Sequence, residues 1–395
     1  MSVPFADILD LARWAPSGDN TQPWRFAVES PDRLAIIGRD TREHCVYDLD
    51  GHGSQVSLGA LLETLALAAT RFGFAVRFLR RRGSPEDAPV FEATFSAAPA
   101  MAEDPLVAAI EARRVHRGPL GTRALTLQEK DVLGQSVAPG YAIRWFEGWR
   151  GRHRVARFNF RSARIRLTIP EAYRTHRAVI QWRARQSADR IPDAALGASG
   201  PTLMLMRWAM ADWGRVDRLN RFFAGTLAPR VELDYVPGVA CAAHWMLVAD
   251  DVPRSLDDHV AAGRAVQRFW LSATTLGLQC QPAYTPIVFA RYARESVCFT
   301  QRADALARAA AIARELGELA GADVAPRVVF MGRIGSGRPC VARSLRLPTQ
   351  DLMVARLPEA ARAPASAAAT ERVDDRQPGD APGGDQRAAH RGGES

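Results

Sequence analysis

Apolar residues recur at helical spacing through Ile8-Leu9-Asp10-Leu11-Ala12-Arg13-Trp14, and Pro16 stops the helix they predict. Ser17, Gly18, Asp19 and Asn20 bend a chain and bond their own backbone, so a tight polar turn follows. Pro23 then forces extension, and Trp24-Arg25-Phe26-Ala27-Val28 alternates like a strand entering a sheet. Arg33-Leu34-Ala35-Ile36-Ile37 is a candidate hairpin partner for it. Ser54-Gln55-Val56-Ser57-Leu58-Gly59 opens a long helix, Ala60 to Arg71, closed by Gly73. Phe74 to Phe78 and Phe91 to Phe95 alternate as strands.

A second set of elements begins near Asp104. The pattern predicts a helix from Leu106 to Arg114, and Thr126-Leu127-Gln128-Glu129 reads as a capping box opening the next one. Ile143 to Phe146 is a strand, and 150–237 is a helical insertion rich in Trp and Met. The core resumes with a strand at His244 to Val248, a helix from Ala261 to Leu276, a turn at Gly277 and a strand from Arg327 to Gly332. From about Glu359 the chain is mostly Ala, Gly, Pro, Asp and Arg without periodicity, and a disordered tail over 356–395 is expected.

Composition narrows the function classes. The chain has 395 residues, 47% hydrophobic and 24% charged, the profile of a soluble globular protein with ample core. No run of about twenty apolar residues is free of charge; the most lipid-like stretch, Pro201 to Met206, ends at Arg207. The N-terminus lacks the basic-then-apolar order of a signal peptide, and a cytoplasmic location is expected. Five scattered cysteines, none spaced as C-x-x-C, argue against a disulfide framework and against a metal site. The net charge of +9 raises nucleic acid or a membrane surface as partners. The basic residues are arginine except for Lys130, a bias that a GC-rich coding sequence also produces, so the excess is discounted. The run from Arg150 through Arg190 interleaves Phe158, Phe160, Ile165, Leu167, Ile180 and Trp182, which reads as amphipathic helices with a solvated basic face. Hydrolase chemistry is not supported: His52, His116 and His244 lack a neighbouring nucleophile at the required spacing, no G-x-S-x-G elbow occurs, and no catalytic residue is assigned.

Four strings carry the candidate chemistry. Ala15-Pro16-Ser17-Gly18-Asp19-Asn20-Thr21-Gln22-Pro23-Trp24-Arg25-Phe26 resembles the A-P-S-x-x-N-x-Q-P-W-x-F signature of the flavin-dependent nitroreductase superfamily. Ile110-Glu111-Ala112-Arg113-Arg114-Val115-His116-Arg117 resembles that family's I-x-x-R-R-S-x-R element, with Val115 in place of the usual Ser or Thr. Gly277-Leu278-Gln279 leading into Gln281-Pro282-Ala283-Tyr284 resembles the loop whose main-chain N–H meets flavin N5. Gly332 to Pro339, followed by Arg343-Ser344-Leu345-Arg346-Leu347-Pro348, resembles the terminal arginine segment.

The resemblance implies an α+β, nitroreductase-like fold with central antiparallel or mixed sheets flanked by helices. It implies FMN as cofactor, with Ser17, Gly18, Asn20 and Gln22 from the turn, and Arg113, Arg114 and Arg117 at the ribityl, phosphate and N1/O2 positions. Gln281, Pro282 and Ala283 fall near N5, one or both of Arg343 and Arg346 on the phosphate, and His116 near the flavin edge. A fixed guanidinium stabilises the negative charge of reduced flavin near N1, which is the chemical reason for such arginines. In single-domain relatives the arginine element precedes the turn. Here the order is reversed, and Val137 to Phe146 keeps only Ala-Pro and aromatics where a second turn belongs. The expectation is therefore two related halves, 1–100 and 101–355 with the insertion at about 150–237, forming a pseudo-dimer with one complete site. As a monomer or weak homo-oligomer, such a protein moves hydride from NAD(P)H through FMN to a small-molecule electron acceptor. The alternative is a flavin-binding or storage protein, with the insertion around Met204 to Phe223 as a lid and no turnover.

Overall fold

The computed structural model of the chain describes residues 2–223 and 225–355, so the tail expected over 356–395 lies outside the described residues. The first helical pattern becomes α1 (Phe5–Ala12), which buries Ile8, Leu9 and Ala12. A single turn over Gly18–Asn20 leads to β1 (Trp24–Ser30) and β2 (Arg33–Gly38), an antiparallel hairpin that buries Trp24 and Phe26. After α2 (His52–Thr70) come β3 (Phe74–Arg80) and β4 (Val90–Ala97). β4 lies between β2 and β3, giving an antiparallel sheet ordered β1-β2-β4-β3.

The expected helix over 106–114 is shorter than its periodicity suggests: only Pro105–Ala109 coils, as a 3-10 turn. Beyond it the chain is drawn out against a strand edge. Val115 bridges Cys280, and His116 N–H donates to the Cys280 carbonyl at 3.0 Å, hydrogen bonds that a continued helix would forfeit. α3 (Leu127–Gln135) carries the expected capping box, with Glu129 N–H donating to Thr126 Oγ1 at 3.0 Å and Thr126 N–H to the Glu129 carboxylate at 2.7 Å.

β5 (Tyr141–Phe146) precedes the helical insertion. The insertion comprises α4 (Gly148–Thr168), α5 (Pro170–Val179), the two-residue strands β6 (Ile180–Gln181), β7 (Gln186–Ser187) and β8 (Ile191–Pro192), α6 (Gly200–Ala209) and α7 (Trp213–Phe222). It closes with α8 (Leu227–Arg230), a π turn over Val231–Tyr235 and α9 (Val236–Val239). Next come β9 (Ala243–Ala249), α10 (Leu256–Thr275), β10 (Leu278–Pro282), α11 (Thr285–Arg294), α12 (Ala303–Ala320) and β11 (Val328–Ser336). The described chain ends with β12 (Arg343–Ser344) and α13 (Thr349–Leu352). The second large sheet is antiparallel and ordered β10-β11-β9-β5.

The two sheets share one plan. In each, two strands precede a long helix and two follow, with the last strand inserted beside the second: β1-β2-α2-β3-β4 and β5-β9-α10-β10-β11. The two long helices cross at glycines. A Cβ on Gly59 would stand 1.9 Å from the Val260 carbonyl oxygen, and one on Gly263 2.0 Å from that of Val56, so no larger residue fits this approach. Arg264 and Arg268 donate to the buried Glu63 carboxylate at 2.8 and 2.7 Å across the same contact. α2 is apolar nearly all round because it is buried on both sides, which is why it lacks a polar stripe. The C-terminal segment returns to the first sheet, where Met353 bridges Phe26 and Val354 N–H donates to the Phe26 carbonyl at 2.8 Å.

Candidate functional site

The two sheets, the α2–α10 contact and the insertion enclose one cavity of about 540 Å³, within the range of small-molecule sites. Ser17, Gly18, Asn20, Arg113, Arg114, Arg117, Gln281, Pro282, Ala283, Arg343 and Arg346 all line it, although they come from four separate stretches of sequence. Gln22 does not. Its side chain is buried, donating from Nε2 to the Ala188 and Asn20 carbonyls at 2.9 and 3.2 Å and accepting from Leu347 N–H at 2.9 Å.

The signature turn is held in an unusual conformation. Asp19, Asn20 and Gln22 have φ of 50°, 64° and 48°, the left-handed region, which costs non-glycine residues of order 1 kcal/mol or more each. Ser17 Oγ accepts from Gln22 N–H at 3.0 Å, and Gly18 N–H donates to Ser57 Oγ at 3.3 Å. Asn20 donates from Nδ2 to the Ala188 and Arg190 carbonyls at 3.1 and 3.3 Å, while its Oδ1 accepts from Arg346 Nη1 at 2.9 Å. Asn20 and Gln22 thus clamp the turn to the insertion and to the C-terminal segment. This is a bracing role that the motif pattern alone does not separate from ligand contact.

Arginine dominates one part of the wall. Arg346 is buried and donates to the Ala15 carbonyl at 2.9 Å and the Leu345 carbonyl at 2.7 Å. Arg113 is buried, donates to the Trp14 carbonyl at 2.9 Å and lies 4.6 Å from the Trp270 ring, with its Nε unpartnered. Arg343 lies 4.6 Å from the Trp14 ring and also has an unpartnered Nε. Among the described residues, none of these three forms an ion pair. Burial, then repulsion from Arg343 and Arg13, pulls Arg346 down to about 9; burial, then Arg346 and Arg343, lowers Arg113 well below the ordinary guanidinium value. A group of cations, two of them buried and the third half-buried, without a paired carboxylate is costly on its own and suited to an anion.

A fourth arginine, inside the 332–339 string but given no role by the motif, stands in the wall formed by β10 and β11. Arg333 is buried and donates from Nε to Gln281 Oε1 at 2.6 Å and from Nη2 to the Arg117 and Gly118 carbonyls at 2.6 and 2.8 Å. Its Nη1 has no partner, and burial brings it down to about 10. It matters because the 281–283 loop lacks the donors expected of it: Pro282 has no N–H, and that of Ala283 is taken by the Met331 carbonyl at 2.9 Å. Arg117 and Arg114 are tied back by donation to the Ala195 and Cys340 carbonyls at 3.0 and 3.1 Å. Val115 lines the cavity, whereas His116 does not.

The insertion supplies a second, charge-balanced part of the wall. Arg166 of α4 pairs with Asp234 at 2.9 Å, and Tyr47 Oη lies 2.8 Å from His176 Nε2 of α5. Leu205, Met206, Met210, Val216 and Leu219 add apolar surface from α6, α7 and the turn between them. These apolar residues lie in the 204–223 stretch expected as a lid, whereas Arg166, Asp234, Tyr47 and His176 carry no local sequence signal. Tyr47 lies in a loop and His176 is a lone histidine on a helix, and only the tertiary fold joins them. Among the described residues, no group of three or more His, Cys, Asp or Glu is arranged to hold a metal ion, and no helix is long and apolar enough to cross a membrane.

No protein-family model matches the chain, and no curated protein does. Among solved structures, the chain is similar to a nitroreductase-like family protein from Bacillus cereus at 13% identity and a TM-score of 0.33, over 65% of this chain and 97% of that one. It is likewise similar to a nitroreductase with bound FMN from Bacteroides fragilis NCTC 9343 at 11% identity and a TM-score of 0.31, over 60% of this chain and 89% of that one. Similarity this distant leaves the chemistry to be read from the site's own residues.

Proposed function

We propose that the chain is an FMN-binding oxidoreductase built from two related halves that share one flavin site. The observation that carries this reading is the cluster of Arg113, Arg343 and Arg346 on one part of the cavity wall, two of them buried and none paired with a carboxylate, whereas Arg166 elsewhere on the wall is paired with Asp234. A phosphate dianion supplies the missing counter-charge. Unpartnered Nε–H groups on Arg113 and Arg343 are the donors available to it. Val56, Ala60, Val266 and Trp270 add apolar surface to the lining that a ring system would need, and Trp270 lies beside Arg113. Arg333, rather than the 281–283 main chain, has the free donor in its part of the wall, and it is the residue we assign to the ring's electron-rich edge. Bound FMN would supply the redox chemistry, accepting hydride from NAD(P)H and passing it to a small acceptor.

The shared strand plan of the two sheets supports the two-half reading. So does the position of Ala138-Pro139, which precedes β5 as Ala15-Pro16 precedes β1. In this reading the turn comes from the first half and Arg113 from the second, so one chain completes one site. The insertion at 150–237 favours one alternative, flavin storage without turnover, because α6, α7 and the following segment wall the cavity. Anaerobic addition of NADPH to the FMN-loaded protein separates the two. Bleaching of the flavin absorbance followed by reoxidation with a quinone is expected. Flavin that stays oxidised would instead support storage.

A further inference from the structure

Tyr47 and His176 form a polar pair on the cavity wall to which the flavin reading above gives no role. Tyr47 lies in the loop between β2 and α2, and that loop is fixed by Asp48. The Asp48 carboxylate accepts from Thr41 N–H and Oγ1 at 3.1 and 2.8 Å and from Ser54 N–H and Oγ at 3.0 and 2.6 Å. Farther along the same loop, Leu49 N–H donates to Tyr292 Oη at 2.8 Å. The Tyr47 ring meets Phe289 edge-on at 6.0 Å, and a Cβ on Gly53 would stand 3.6 Å from the Tyr284 ring, so the loop sits beside the end of the 281–284 segment. His176 arrives from the insertion, 2.8 Å from Tyr47 Oη.

Both partners are neutral at pH 7. Burial pushes the phenol well above its ordinary value, and burial with the nearby Arg166 pushes the imidazole down to about 3. When His176 donates from Nε2 to Tyr47 Oη, the phenolic hydrogen is free to point into the cavity. The negative charges beside the pair are Asp19 and Asp234, and they are balanced by Arg117, which acts on Asp19, and by Arg166, which pairs with Asp234. This part of the wall therefore attracts no net ion. It offers a neutral hydrogen-bond donor inside a mostly apolar chamber.

We propose that Tyr47 binds the oxygen of a neutral, carbonyl-conjugated acceptor, an enone or quinone, and donates the proton that its reduction requires, with His176 as the relay to solvent. The inference rests on the flavin reading above. For an enone, hydride supplied by the reduced cofactor forms a C–H bond at the β-carbon, and the C=C π bond breaks to give an enolate. The Tyr47 O–H bond then breaks as its proton forms a new bond on the enolate. The phenolate takes the Nε2 proton of His176, which gains one from water at Nδ1. The acceptor is reduced by two electrons; the imidazole is left protonated at Nδ1 rather than Nε2, and proton exchange with water returns it to the starting tautomer.

The test uses the full-length, FMN-loaded protein and its Tyr47→Phe variant. Flavin content is measured first; a native protein that retains no FMN brings down the flavin reading and this inference with it. Acetophenone, a carbonyl probe that is not turned over, is then added to the oxidised protein and its C=O stretch recorded by infrared difference spectroscopy. A downshifted band in the native protein that returns upward in Tyr47→Phe is expected. An unshifted band, or none, in the native protein overturns the proposal whether or not the variant folds. In stopped-flow reoxidation, the ratio of the rate with 2-cyclohexenone to that with ferricyanide, which takes electrons only, should fall about 10²-fold or more in the variant. An unchanged ratio with FMN retained overturns the proton-donor role alone.

Discussion

Two parts of one cavity wall treat charge in opposite ways. Around Arg113, Arg343 and Arg346 the guanidiniums donate to main-chain carbonyls and one amide or lie over tryptophans, with no carboxylate among their partners. Around Arg166 the charge is matched by Asp234 at 2.9 Å, and the neighbouring Tyr47 and His176 are neutral. The difference teaches where a ligand's charge belongs. An unbalanced cluster is stable only with a counter-ion from outside, whereas a balanced one is complete within the protein and is left to handle uncharged groups.

The comparison is broken most severely at the balanced pair. Arg166→Met leaves the half-buried Asp234 without its partner, and an unpaired polar group that is largely withdrawn from water costs up to about 3 kcal/mol; a fall in the midpoint of thermal or urea unfolding is expected. Arg343→Met should do the reverse. Loss of a phosphate contact is worth about 1.5–3 kcal/mol, so FMN affinity falls about tenfold to a hundredfold. The flavin-free protein should be no less stable, because the repulsion from Arg114 that burial aggravates disappears. A flavin-free protein destabilised by Arg343→Met to the extent seen for Arg166→Met would erase the distinction between the two regions.

A smaller effect concerns pH. Burial depresses His52 and His244 to about 4 and His176 and His259 to about 3, against about 6.5 in an unfolded chain. Between those values the unfolded chain binds more protons, so stability is fully present above about pH 6.5 and is lost as pH falls toward the folded values. Unfolding midpoints measured from pH 7 to pH 4.5 should decline steadily. His52 stacks on His259 at 3.7 Å, where a charge on either ring is resisted by the other, so His259→Phe should flatten the slope. The smallest effect expected is that of Arg152→Ala, on a helix of the insertion and outside the cavity lining, where flavin content should not change.

Much of the fold was legible in the sequence because local rules govern it. The β1–β2 hairpin, the strands flanking α2 and the Thr126–Glu129 capping box follow from alternation, glycine placement and side-chain capping. The helix expected through Arg114 was cut short by a strand-edge contact with Cys280, a tertiary competitor that periodicity does not register. The same limit applies to the site. Motif strings marked the residues that converge on the cavity, but they could not show that Asn20 and Gln22 spend their amides on Ala188, Arg190 and Leu347. Arg333 sits inside the 332–339 string with nothing to single it out, Tyr47 and His176 carry no local pattern, and their grouping exists only once β11, the β2–α2 loop and α5 have packed together.

The central claim is that unpaired arginines await a phosphate, and paired titrations of FMN and riboflavin followed by quenching of flavin fluorescence test it most directly. The two ligands share the ring and ribityl chain and differ only in the phosphate. The account predicts FMN binding tighter than riboflavin by about a hundredfold, a margin that shrinks in Arg343→Met; equal affinities, or binding of neither, would contradict it.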